Sequence, residues 1–149
     1  NKVANVIPQP PEWSQSSGET PLERGAYLSR IAGCEHCHTP LKGKTIDTKN
    51  LFSGGHEFPM SMGIAIAPNI TAEEGNGLGY WSETDFINKF RSYQSDAAKE
   101  REAGPSDPNS PMPWFAYADM SEEDLSAIWV YLQSVPANPN KVETVWKLR

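Results

Sequence analysis

Cys34-Glu35-His36-Cys37-His38 constrains this chain more than any other five residues. In a C-x-x-C-H pattern the two intervening residues let both thiols reach one edge of a haem, where they add across its two vinyl groups. The next residue, His38, then falls beneath the iron as the proximal imidazole. Other uses of paired cysteines fit less well. Zinc takes about four ligands, and no second Cys/His pair occurs in the chain. A thioredoxin-like pair follows a strand, whereas the residues before Cys34 read as a helix. Cys34 and Cys37 are the only two cysteines, so no disulfide framework remains, and one attachment box predicts one haem.

A chain of 149 residues is long enough for one real core and too short for two. Its apolar share of 38% is modest, but 10% is aromatic and five residues are Trp; a haem would itself supply part of the apolar interior. The net charge of −6 argues against nucleic acid or an anionic membrane as partner. Haem propionates would add to it, so the expected partners are redox proteins presenting a basic patch, or a larger complex. No run of about 18 apolar residues occurs, so no transmembrane segment is expected. Covalent haem attachment takes place outside the bacterial cytoplasm. The chain is therefore expected to be periplasmic, its secretory leader removed.

Residues 1–19, with Pro8, Pro10 and Pro11 followed by Ser14 to Gly18, read as an extended arm. The core domain is expected over 20–136. Its first helix starts at Thr20 as N-cap, with Pro21 at the first position and Glu23 completing a capping box. Leu22, Leu28, Ile31 and Ala32 make an apolar stripe, and Gly25 is a point for close approach of the final helix. Residues 39–80 read mostly as loop, with short extended pieces around Gly63–Ala67. A helix opens at Ser82 with Asp85 at N3 and Phe86, Ile87, Phe90 and Tyr93 on one side. Residues 94–111 are polar and read as a frayed end and exposed loop. The last helix is capped by Ser121, carries Glu122, Glu123 and Asp124 in its first turn, and stops at Val135-Pro136. Its stripe is Leu125, Ile128, Trp129, Leu132 and Val135. The tail 137–149 reads as extended, with Trp146 as an anchor lacking a visible docking site.

The sixth iron ligand separates a carrier from a catalyst. The candidates are Met60, Met62, Met112, Met120, His56, His36 and water. Met112 sits in Ser110-Pro111-Met112-Pro113-Trp114, where prolines bar helix and limit the freedom of the loop, and it is the chosen ligand. Met120 precedes a helix cap, as a hydrophobic staple does. His56 follows a Gly-Gly turn and reads as solvated, and His36 points away from the iron. Met/His ligation closes the iron and suits one-electron transfer. No nucleophilic triad and no phosphate-binding loop is present; Gly75-Asn76-Gly77-Leu78-Gly79 reads as a turn cluster, and Glu73-Glu74 as solvated. No catalytic residues are assigned.

Gly25-Ala26-Tyr27-Leu28, Ala32-Gly33-Cys34, Cys37-His38-Thr39, Ala67-Pro68-Asn69-Ile70-Thr71, Gly77-Leu78-Gly79-Tyr80-Trp81-Ser82, Asp85-Phe86, Pro111-Met112-Pro113 and Met120-Ser121-Glu122-Glu123-Asp124-Leu125 together resemble a known pattern. It is that of class I-like monohaem cytochrome c domains, as in the cytochrome c subunits of periplasmic alcohol, aldehyde and gluconate dehydrogenases. The resemblance covers roughly residues 20–136. It implies a mainly α cytochrome c fold, with helices packed around one covalently bound haem and long loops between them. It implies Cys34 and Cys37 as attachment residues, His38 and Met112 as iron ligands, and Asn69 and Trp81 as propionate or haem-edge contacts. Those subunits usually carry three haem domains in tandem; one attachment box is present here.

The expected role is a one-electron carrier, not an enzyme, working between a dehydrogenase donor and an acceptor oxidase or reductase. The alternative is a haem enzyme or small-ligand sensor with an open or labile sixth position.

Overall fold

Helix α1 (Pro21–Ile31) begins where local chemistry demands it. The Thr20 hydroxyl accepts the Glu23 amide at 3.2 Å, and the Glu23 carboxylate accepts the Thr20 amide at 2.9 Å. Two orphan N–H groups of the first turn are thereby paired. The computed structural model describes residues 19–99 and 110–148. The expected arm (apart from Glu19) and the segment 100–109 lie outside the described residues.

Gly33, at φ 72°, turns the chain directly out of α1 into α2 (Cys34–His38). Two hairpin pieces follow, β1 (Leu41–Lys42) with β2 (Thr45–Ile46), then β3 (Glu57–Pro59) with β4 (Gly63–Ile66). The extended piece expected near 63–67 is thus β4. Helix α3 (Glu83–Arg91) carries the expected Ser82–Asp85 capping box. Short helices α4 (Asp96–Lys99) and α5 (Trp114–Ala118) precede α6 (Glu122–Ser134), whose Ser121 hydroxyl accepts the Asp124 amide. Strand β5 (Trp146–Leu148) closes the chain against β4, giving the order β3-β4-β5.

The core lies where α1, α3 and α6 meet. Leu28, Phe86, Phe90, Leu125, Ile128, Trp129 and Leu132 are buried together, joined by Phe52 and Leu78 from the loops. Gly25 sets the closeness of the α1–α6 crossing: a Cβ there would fall 1.9 Å from the Ala127 carbonyl oxygen and 2.8 Å from Tyr131 Cβ. The Arg24 guanidinium reaches Asp124 across the same crossing at 2.6 Å.

Three expectations change. The buried face of α1 differs from the expected stripe: its buried residues are Gly25, Leu28 and Ser29, while Leu22 and Ile31 are exposed. Ile31 lies roughly 120° around the helix from Gly25, so packing on Gly25 turns it outward. Gly25 meets Ala127 and Tyr131, not the Leu125–Trp129 stripe, which packs inward. Tyr93 falls beyond the end of α3 and stacks on Trp114 at 4.9 Å between ring centres. Helix α5 was not anticipated, since five residues between a proline and a cap carry too little periodicity to reveal it.

The tail has the docking site that the sequence did not disclose. Trp146 pairs with Ala65 on β4, and its indole covers Gly63, where a Cβ would lie 2.8 Å from the ring.

Candidate haem-attachment site

Helix α2 is a little over one turn long, so Cys34 and Cys37, three residues apart, stack on one face with His38 adjoining. Desolvation pushes the Cys34 thiol up to about 11 and raises that of Cys37, so both sulfurs remain protonated thiols at neutral pH. They stand between the α1 C-terminus and the loops that follow.

His38 is buried, and its Nδ1 lies 2.9 Å from the carbonyl oxygen of Pro68. A carbonyl can only accept, so Nδ1 carries the proton and Nε2 is left with its lone pair. Burial drives the imidazole pKa below its ordinary value, with the Pro68 bond opposing in part; the ring is neutral at pH 7. The backbone is held too, since the Gly54 amide donates to the His38 carbonyl at 2.7 Å. Gly54 is at φ 76°, and a Cβ on it would strike the Asn69 nitrogen at 2.5 Å and the Pro68 carbonyl carbon at 2.6 Å. Only glycine fits there.

The turn before Gly54 is strained. Phe52 is a fully buried non-glycine residue at φ 60°, a conformation that costs on the order of 1–2 kcal/mol. Two hydrogen bonds hold it: its amide donates to Thr39 Oγ1 at 3.1 Å, and its carbonyl accepts from Ile70 at 2.9 Å. Thr39 follows the box directly, so the strain is braced against the end of α2.

Met112 is half-buried against the core, in a loop pinned at both ends. Its amide donates to Ser110 Oγ and its carbonyl accepts from Trp114. Beyond it, Trp114 stacks on Tyr93, and Lys89 lies over both rings. The Tyr117 hydroxyl donates to the Ala32 carbonyl at 2.6 Å, and Arg91 donates to the carbonyls of Ala118 and Met120. The Met112 segment is thereby tied to the residue two before Cys34.

Asn69 departs from expectation. It is 3% exposed and its amide is fully taken up: Nδ2 donates to the carbonyls of Asn138 (2.8 Å) and Asn140 (3.0 Å), while Oδ1 accepts from the Thr71 amide and hydroxyl. Its side-chain amide is thus engaged within the protein, where it clasps the tail. Trp81 is 39% exposed and lines a shallow groove with Asp85, Asn88, Lys89 and Ser92 of α3 and its end. His56, read as solvated, is buried: its ring stacks on Phe58 at 4.4 Å and its Nδ1 donates to the His36 carbonyl at 3.1 Å. Glu73, also read as solvated, accepts the Asn76 amide and so closes the glycine-rich turn.

The residues present fit a covalently attached haem. Two thiols and an imidazole with a free Nε2 come from one turn of helix, and that imidazole is oriented from behind by a carbonyl, as ligating histidines are. Pro68, Gly54 and Tyr117 were missed as site residues. Gly54-Gly55 hinted at a close approach, but nothing local marks a carbonyl or a tyrosine whose partner lies 85 positions away.

No family model matches the chain. It is 30% identical over 145 residues to the fructose dehydrogenase cytochrome subunit of Gluconobacter japonicus, covering 97% of this chain and 28% of that one. It is 28% identical over 119 residues to the alcohol dehydrogenase (quinone) cytochrome c subunit of Gluconobacter oxydans (79% of this chain, 22% of that one). With the gluconate 2-dehydrogenase cytochrome c subunit of Pantoea cypripedii the identity is 31% over 111 residues (74% and 22%). The chain therefore spans less than a third of the length of these relatives. By class it resembles c-type cytochromes of electron transport. More particularly, it resembles the cytochrome c subunits of alcohol, fructose and gluconate dehydrogenases.

Proposed function

We propose that this chain is a periplasmic one-electron carrier with one haem c attached through Cys34 and Cys37. His38 is the proximal ligand and Met112 the distal one. The observation that carries this is the His38–Pro68 hydrogen bond, which leaves a neutral imidazole with Nε2 unprotonated beside two thiols on the same turn. A haem bound here supplies a one-electron couple.

The chain's own residues do the rest. Pro68 and Gly54 fix the ring and backbone of His38. Pro111 and Pro113 stiffen the Met112 loop, and Tyr117 anchors it to the α1 end. Trp81 would contact the edge of a haem held there. Were a haem held here by His38 and Met112, these residues would exclude exogenous ligands from its iron and suit the chain to carrying electrons rather than catalysing a reaction. The donor is a dehydrogenase, as in the relatives, and the acceptor an oxidase or reductase. Among the described residues no helix is long and apolar enough to cross a membrane.

The test is an optical spectrum of the ferric and dithionite-reduced protein, followed by carbon monoxide. A low-spin spectrum with a far-red Met–iron band, unmoved by carbon monoxide, is expected. A high-spin spectrum, or one that shifts with carbon monoxide, would overturn the carrier reading in favour of an enzyme or ligand sensor.

A further inference from the structure

Both groups that hold His38 adjoin a residue gripped by the C-terminal tail. Pro68, which accepts from the ring, precedes Asn69, whose amide donates to the Asn138 and Asn140 carbonyls. Gly54, which donates to the His38 carbonyl, follows Ser53, whose own carbonyl accepts Asn140 Nδ2 at 2.8 Å. Asn138 adds two more ties, from its Nδ2 to Asn50 Oδ1 at 2.9 Å and from its amide to Thr71 Oγ1 at 3.2 Å. Asn138 Oδ1 accepts the Asn140 amide at 3.0 Å, which sets the turn of the tail itself. Downstream, β5 pins the strap to the sheet.

We infer that Asn138 and Asn140, acting with Asn69, are positioning residues for His38. The strap clamps the 50–54 and 67–71 loops together, and the clamped loops set how firmly Pro68 accepts the Nδ1 proton. A firm bond makes the imidazole a stronger donor to the metal. Loosening it weakens that donation and favours the reduced state. This inference rests on the proposed haem reading and goes beyond it, because it assigns a function to a tail whose hydrogen bonds, among the described residues, go to neighbours of His38 rather than to His38 itself.

The variants are Asn138→Ala/Asn140→Ala, which removes two partly or fully exposed side chains, and Asn69→Ala, which removes the buried clasp. Each is prepared with haem attached, and attachment in the parent is checked first by a pyridine haemochrome spectrum. A parent without thioether haem would overturn the haem reading itself. The readouts are the reduction potential and, by NMR of the reduced protein, the exchange rate of the His38 Nδ1 proton with solvent. Expected are a potential shifted upward and exchange faster by about fivefold, the factor that corresponds to losing one ordinary hydrogen bond's net worth. Variants that merely melt earlier, with potential and exchange equal to the parent, would overturn the inference and leave the strap a stabilising element only. Should Asn69→Ala fail to fold, the double variant on the tail decides the question by the same two readouts.

Discussion

The Tyr117 hydroxyl donates to the Ala32 carbonyl over 2.6 Å, joining the segment that carries Met112 to the helix end that delivers Cys34. One hydrogen bond thus links the two sides of the proposed haem site. Tyr117→Phe keeps the ring and deletes the bond. It is expected to cost about 1 kcal/mol in thermal or denaturant unfolding and to weaken the far-red band by loosening the Met112 loop. An unchanged band would show that the loop is held without it.

Met112→Ala tests the distal ligand directly. The potential is expected to fall by on the order of a hundred millivolts, a fraction of the roughly 0.8 V that axial ligands span, and the iron should accept imidazole or carbon monoxide. Voltammetry and ligand titration read both. Native potential and spectrum in this variant would point to another ligand.

Gly25→Val places carbon atoms where the Ala127 carbonyl already lies. Ordinary overpacking costs about 1–3 kcal/mol. Here the obstacle is backbone, which cannot rotate aside, so the loss should reach or exceed the top of that range, measured by chemical denaturation. Even Gly25→Ala should destabilise clearly. A parent-like midpoint would mean that α1 and α6 cross elsewhere.

Gly54→Ala combines a left-handed backbone with a clash against the 67–69 segment. It should destabilise by at least about 1–3 kcal/mol and lower the yield of haem-bearing protein, since Gly54 also holds the His38 carbonyl. Equal expression and haem content would contradict this.

Glu23, Glu73 and Asp85 all titrate below the usual carboxylate range because each accepts hydrogen bonds: Glu23 from Thr20, Glu73 chiefly from the Asn76 and Gly75 amides, Asp85 from Ser82. Their contribution is complete above roughly pH 4–5, where the unfolded groups are also ionised. It is lost as pH falls through the lowered folded values. Stability should therefore decline on the acid side of pH 4, and Glu73→Gln should flatten that limb in pH-dependent melting. A limb as steep as the parent's would place the acid sensitivity in other carboxylates.

How much of this was legible depended on distance along the chain. The caps at Thr20, Ser82 and Ser121 are local hydrogen-bonding decisions, and each helix begins where its cap stands. The Cys34–His38 box suggests its chemistry because five consecutive residues carry it. What failed was side-chain direction and partnership at long range. Ile31 is apolar in a helical stripe, yet it faces outward because Gly25 decides which side of α1 meets α6. Asn69 stands in a segment resembling haem contacts, yet its amide is satisfied by carbonyls about 70 residues away. His56 is buried by Phe58 and the His36 carbonyl. None of these pairings leaves a periodic trace.

The strap also orders events in time. The attachment box at 34–38 leaves the ribosome about a hundred residues before Asn138 and Asn140, which complete its surroundings across separations of 67 to 88 positions. Closing loops of that length carries an entropic cost before any contact repays it. His38 therefore acquires its final orientation late, and a chain interrupted before residue 138 holds the whole Cys-x-x-Cys-His motif without the frame that aims it. On the haem reading, aiming of the His38 ring is thus a late step in folding, set by closure of the strap.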